Sequence, residues 1–219
     1  ENMSPEIEIW NDIALIRDDK YFTKWVKESG KLDHHDGFLH YLRPYLGGTI
    51  IDIGSNIGTH AIYYAQFGHV HCFEPNPIAF ECLKYNMRKV DATLYNMAVG
   101  ECNGYVNMSS PEDGNYGAVY TEKGDMIPVV TIDELCLDEC DFIKIDNEGD
   151  EIEALRGAKD TIRRFKPVMC IESNPHTLAR KNLTPNDLLI TIHAMGYITK
   201  QRVPQDISCD LLCEPASRK

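Results

Sequence analysis

The stretch "IIDIGSNIGTHAIYYAQFG" at residues 50–68 decides the fold. Ile50, Ile51 and Ile53 surround a single acid, Asp52, the pattern of a strand buried on both faces. Gly54 and Gly58 punctuate the turn that follows, and "THAIYYA" continues with helical spacing. Strand, glycine turn and helix in that order set backbone N–H groups and a helix N-terminus over the carboxyl edge of a sheet. The expectation is a small polar ligand bound at that edge.

Working outward, the same rhythm repeats. Strands are expected at "TIIDI" (49–53), "HVHCFE" (69–74), "ATLYNMAV" (92–99), "DFIKID" (141–146) and "PVMCIE" (167–172). Amphipathic helices are expected at 77–90, 150–165 and 184–196, the last with Thr184 as cap, Pro185 at its start and Gly196 at its end. The tail, "YITKQRV" and "SCDLLCEP", reads as a closing hairpin on one edge. Such alternation gives an α/β fold with a mostly parallel sheet and helices on both faces. Residues 103–128 interrupt it with Gly, Asn, Ser and Tyr, as a long loop or hairpin that either serves the binding edge or merely closes the sheet.

Residues 1–47 read as a helical N-terminal extension, with Ser4 capping and Pro5 opening a helix through "SPEIEIWNDIALIRD". "LDHHDG", with His34 and His35, could fold over the ligand as part of a lid, though a surface loop is the simpler account. The binding domain proper is then 48–219.

At 219 residues the chain holds one sizeable α/β domain. Its net charge of −12 repels phosphate backbones and argues against nucleic acid as a partner. No apolar run is long enough to span a membrane. The eight cysteines include no C-x-x-C pair, and Cys72 and Cys170 sit inside apolar strands, as small buried hydrophobes do. A reduced, cytoplasmic protein is expected. Oligomeric state is open.

The glycine turn narrows the ligand. Gly54 matches the first glycine of a dinucleotide-binding turn, but Asn56 occupies its middle and would crowd a pyrophosphate. No lysine follows, as a P-loop would need. The turn therefore suits a ligand without phosphates, which disfavours a nucleotide-linked dehydrogenase. Glu74 closes the second strand 22 residues after Asp52, where a carboxylate can accept both hydroxyl protons of a ribose. A ribose without a pyrophosphate points to S-adenosylmethionine.

At this point the chain resembles the FkbM-type methyltransferases. "IDIGSNIGTHAIYYA", "FEPNPIAFECLKYNM", "NMAVGE", "TIDEL", "DFIKIDNEGDEIEALRGA" and "PVMCIE" fall in that family's order across residues 48–172, and "KIDNEGDE…LRGA" is the most specific of them. The resemblance implies a Rossmann-like class I methyltransferase with a seven-stranded sheet. It implies O-methylation dependent on S-adenosylmethionine, with a hydroxyl of a sugar or glycan as acceptor. The cofactor would lie over Asp52, Gly54, Ser55, Asn56, Gly58 and Thr59, with Glu74, Pro75 and Asn76 at its ribose. Asn96 and Ala98 would lie near the adenine, and Asp146 at the fourth strand's end. The family usually has an apolar residue at Asn147 and an aromatic at Asp150, so substrate contacts near that turn are expected to differ.

Methyl transfer to a sugar hydroxyl needs the alcohol positioned and its proton removed. Asp146 and Glu148 precede a helix and are expected to orient substrate; Glu172 or His176 is expected as the base. Asp150 and Glu151 read as first-turn acids complementing the helix dipole. Asp146, Glu148 and Glu172 together would suit a divalent ion such as Mg²⁺. His60 lies close to the cofactor's methionine half but reads better as packing. The alternative is a catalytically silent cofactor-fold scaffold.

Overall fold

A computed structural model describes residues 6–32, 37–201 and 208–216. The chain opens with a hairpin, β1 (Ile7–Trp10) and β2 (Ile13–Ile16), followed by α1 (Phe22–Ser29) and α2 (Phe38–Leu42). The alternating body follows: β3 (Gly48–Ile53), α3 (Thr59–Tyr64), β4 (Gly68–Phe73), α4 (Pro77–Asn86) and β5 (Ala92–Tyr95). Four short strands come next: β6 (Ala98–Val99), β7 (Gly104–Ser109), β8 (Tyr120–Lys123) and β9 (Ile127–Val130). Then come β10 (Phe142–Ile145), α5 (Glu151–Gly157), α6 (Lys159–Phe165), β11 (Val168–Ser173), α7 (Pro175–Ala179) and α8 (Pro185–Ala194). The edge is closed by β12 (Tyr197–Gln201) and β13 (Cys209–Pro215).

The main sheet has seven strands in the order β12-β13-β11-β10-β3-β4-β5, with β13 antiparallel to both of its neighbours and the rest parallel. Alternation of side chains divides the core between its faces. Ile51, Ile53, Ile143 and Ile145 pack with residues of α5, α6 and α8, whereas Ile50, Phe142 and Val168 pack with α2, α3 and α4. After β3 the chain winds one way, to β4 and β5; from β10 it winds the other, to β11. The sheet's direction of growth therefore reverses between β3 and β10, where ligands collect in open parallel sheets.

The five expected body strands form, with one division. The run 92–99 splits at Asn96: β5 stays in the main sheet, and β6 joins a four-stranded sheet of order β6-β9-β7-β8. Asn96 anchors the crossing, donating from Nδ2 to the carbonyls of Glu74 (2.8 Å) and Pro75 (3.1 Å). Residues 103–128 thus form strands rather than a plain loop. The helix expected over 150–165 is also two helices, meeting at Ala158. Gly157 lies so close to the next layer that a Cβ there would sit 1.9 Å from the Gly100 carbonyl oxygen.

The helical reading of "EIEIWNDIALI" is overturned. Ile7 pairs with Ile16 and Trp10 with Ile13, so Asn11-Asp12 is a two-residue hairpin loop. Both residues have positive φ, 48° and 66°, as a type I′ turn requires and Asn and Asp tolerate. Buried Asn86 of α4 fastens this hairpin: its side chain accepts from Ala14 N (2.7 Å) and donates to the carbonyls of Ala14 (3.0 Å) and Ile57 (2.7 Å). Ser4, Pro5, His34 and His35 lie outside the described residues. Among the described residues no helix is long and apolar enough to cross a membrane.

Candidate active site

Two turns meet at the reversal point. Gly54 has φ +83°, and a Cβ there would lie 1.8 Å from the Asp146 carbonyl oxygen, so the turn after β3 presses directly on the end of β10. Only glycine fits both the dihedral and the gap. Gly58, at φ 90°, precedes α3, and Ser55 Oγ donates to the Asp52 carbonyl (2.9 Å) to close the turn.

Glutamates end two of the parallel strands in matching fashion. After β4, Glu74-Pro75-Asn76-Pro77 leads into α4, with Asn76 Oδ1 accepting from Ile78 N (3.0 Å); after β11, Asn174-Pro175 opens α7 with the same cap onto His176 N (3.0 Å). An Asn cap with Pro at the first helical position stops the strand and starts the helix at once. Glu74 and Glu172 therefore stand at the same edge of the sheet.

A cavity of about 330 Å³ lies over that edge. Its wall contains Asp52, Gly54, Ser55, Asn56, Thr59, Glu74, Pro75 and Ala98 of the expected cofactor set, with Asp146, Glu148 and Glu172 of the expected catalytic set. Gly58, Asn76 and Asn96 stand behind the wall as a helix cap, an N-cap and a backbone anchor. His176 does not reach it: it is an exposed first-turn residue of α7, so the histidine alternative for the base is not supported by placement. His60 does line the cavity, with ring centroids 5.5 Å from Phe38 and 6.3 Å from Tyr64. Residues 103–128 contribute Met108, Tyr116, Val119 and Thr121 to the wall, and the N-terminal segment contributes Phe22 and Leu32.

The cavity is strongly acidic, and its carboxyls are not equivalent. Glu74 accepts from Asn76 N (2.7 Å) on one oxygen and Asn56 N (2.8 Å) on the other, yet burial still pushes it up to about 7. Burial, then the neighbouring Asp146 charge, raises Glu148 to about 8. The same causes, with Glu148 added, raise Glu172 well above the usual carboxylate range. Asp146 differs. Burial pushes it up, but the Lys144 ammonium, 3.1 Å away, overcomes this and holds it low, aided by a hydrogen bond with Glu172. Asp52 is raised by burial, and among the described residues its Oδ2 has no hydrogen-bond partner.

Lys144 is the residue that sequence reading missed. It is 2% exposed in the middle of β10, beside Asp52 in register, and it lies 3.7 Å from Asp210 of β13 as well as beside Asp146. Burial would discharge it; the two carboxylates outweigh that and hold it charged. Around Glu148, Arg180 approaches to 3.9 Å, and Asp150 is tied to Lys181 and to Thr121 of β8. Asp150 is thus not a first-turn acid: it stands at the N-cap of α5 and clasps β8 to the turn after α7, whereas Glu151 is in the first turn as expected. Glu151 is fully buried, accepts from Gly149 N (3.0 Å) and is pushed by burial up to about 7.

The metal expectation is corrected. Among the described residues no three His, Cys, Asp or Glu side chains are disposed to hold a metal ion. Asp146 is paired with Lys144, and burial beside Asp146 and Glu148 holds Glu172 well above the usual carboxylate range.

These carboxyls make stability depend on pH. Unfolded glutamates lose their protons near pH 4.3, whereas Glu74, Glu148 and Glu151 hold theirs to about 7, 8 and 7 in the fold. Between those limits the native state binds more protons, so stability falls as pH rises. Asp146, held low, titrates below this window. The melting temperature at pH 5 should exceed that at pH 8 by roughly 5 °C or more; a flat or rising profile over that range would contradict the assigned burial.

Comparison with known proteins bears on the family and the fold. The sequence profile of the methyltransferase FkbM domain matches residues 52–199. The hexuronic acid methyltransferase AglP of Haloferax volcanii is 32% identical over 120 residues, covering 51% of this chain and 50% of AglP. The chain thus spans about half the length of this curated relative. Among solved structures, methyltransferase FkbM from Methylobacillus flagellatus KT superposes with a TM-score of 0.55 at 23% identity, over 76% of this chain and 43% of that one. Magnesium protoporphyrin IX methyltransferase (ChlM) from Synechocystis PCC 6803 with bound SAH gives 0.53 at 11% identity, over 90% and 88%. The fold is that of the class I methyltransferases, and the chain belongs to the FkbM methyltransferase domain family.

Proposed function

We propose that this chain is an S-adenosylmethionine-dependent O-methyltransferase that methylates a hydroxyl of a sugar or glycan. The observation that carries the reading is Glu74. It is buried at the end of β4 beside the glycine turn, and each oxygen, fixed by one backbone N–H, keeps a lone pair for one hydroxyl of a ribose diol. The rest of the wall fits the same molecule. Gly54 lets the turn close against the end of β10, Asp52 Oδ2, without a hydrogen-bond partner among the described residues, can accept from an ammonium, and Met97, Ala98 and Val99 offer an apolar face to a base. The sugar acceptor is supported by the AglP relative, whose name specifies a hexuronic acid.

When bound, S-adenosylmethionine supplies an electrophilic methyl group on a sulfonium. Asp146, kept ionised by Lys144, places a negative charge in the cavity to complement that cation. Glu172 keeps its proton and braces Asp146 through their hydrogen bond. Glu148 is the base this geometry favours. It lines the cavity, and a carboxyl titrating near 8 is a far stronger proton acceptor than an ordinary carboxylate while still ionising near neutrality.

The test is titration calorimetry with S-adenosylhomocysteine. Wild type should bind, and Glu74→Ala should weaken binding at least about tenfold, ~1.4 kcal/mol. Glu74→Gln, which keeps acceptor and shape on one side, should fall between. A folded wild type that does not bind would sink the reading.

A further inference from the structure

We propose that Arg180 is the anchor for an anionic group on the acceptor, a sugar carboxylate, and so sets the enzyme's preference for acidic sugars. The inference rests on the methyltransferase reading and deepens it. Arg180 follows α7, and its guanidinium lies over the ring of Tyr120, 4.4 Å from the centroid. It approaches Glu148 only to 3.9 Å, beyond hydrogen bonding, and among the described residues its side chain makes no hydrogen bond. The group is therefore held by a stack and a loose ion pair, with the donors of its fork unspent. An arginine so placed is preorganised for bidentate capture of a planar carboxylate.

Its neighbours explain why the position matters. Val119 and Thr121, on either side of Tyr120, line the cavity, as does Glu148. Lys181, next in sequence, is committed to Asp150, and Lys144 to Asp146 and Asp210. In a chain of net charge −12, with a cavity walled by carboxyls, an anionic acceptor would be repelled unless a cation met it. Arg180 is a cation at this border not already hydrogen-bonded to an acid. A role as a helix C-terminal charge falls short as an account, because the guanidinium is turned to Tyr120 and Glu148 rather than to the carbonyls of α7. A carboxylate on Arg180 would also bring the acceptor's hydroxyls beside Glu148.

The experiment is calorimetric titration of methyl β-D-glucuronide, methyl β-D-glucuronamide and methyl β-D-glucoside into the full chain saturated with S-adenosylhomocysteine. Wild type should bind the glucuronide at least about tenfold more tightly than the two neutral glycosides. Arg180→Met should abolish that preference, Arg180→Lys should restore part of it, and affinity for S-adenosylhomocysteine should stay unchanged in both, which also reports folding. Absence of any preference in wild type, including no measurable binding of all three, overturns the inference, as does a preference that survives Arg180→Met. Failure of wild type to bind S-adenosylhomocysteine is a separate result, and it fails the methyltransferase reading itself.

Discussion

Glu148→Gln lowers kcat by about 10²–10⁴-fold and leaves the affinity for S-adenosylhomocysteine within about twofold of wild type. The amide keeps the volume and one acceptor oxygen but cannot take a proton from an alcohol. The pH profile gives an independent reading of the same group. With burial and Asp146 holding Glu148 to about 8, log kcat/KM should climb with unit slope below that pH and level off above it. In Glu148→Gln the climb should vanish. Glu172→Gln is the control. Because Glu172 already carries its proton, the amide can still donate to Asp146, and the loss should be much smaller. A Glu172→Gln loss equal to that of Glu148→Gln would return the base to Glu172.

Lys144→Met should cost about 3 kcal/mol of stability, the low end for a buried pair, because it strips the partner from Asp210, which is 13% exposed, and from the partly exposed Asp146. Methionine fills nearly the same volume, so packing contributes little of this loss. Asp146 and Asp210 would be left facing each other across the vacated ammonium, and Asp146 would no longer be held low. Cofactor affinity should fall too, since the charge offered to the sulfonium would be partly neutralised by a proton. Denaturant unfolding reads the first effect, and calorimetry reads the second. Lys144→Met/Asp146→Asn should recover part of the stability but not the affinity. A single variant within about 0.5 kcal/mol of wild type would contradict the buried-ion account.

What the sequence disclosed, and what it concealed, follows from the range of the interactions involved. The β3 turn and Glu74 are local devices, written in a few adjacent residues, and both lie in the cavity wall. Asn11-Asp12 is equally local: two positive-φ residues between β-branched runs signal a hairpin. It was masked by a Ser-Pro that reads as a helix start. The Asn96 crossing was hidden because an apolar run does not announce which sheet it joins.

Lys144 was illegible for a different reason. A lysine in a strand ordinarily faces solvent, and what buries this one includes Asp210, brought alongside β11 by an antiparallel strand far down the chain. His176 was misplaced for the converse reason. It sits near Glu172 in sequence, but the first turn of α7 points it outward. Arg180 carries no signal of its own until Tyr120, from the small sheet, is laid beneath it.

Incubating the full chain with methyl-¹³C-labelled S-adenosylmethionine and a panel of neutral and acidic glycosides, then locating the label by NMR, decides whether a sugar hydroxyl is the acceptor. A sugar O-methyltransferase with Glu148 as its base should leave a labelled methyl ether on a ring hydroxyl, absent in Glu148→Gln. Label on a carboxylate as an ester, or on no sugar at all from a protein that binds S-adenosylhomocysteine, would contradict that reading.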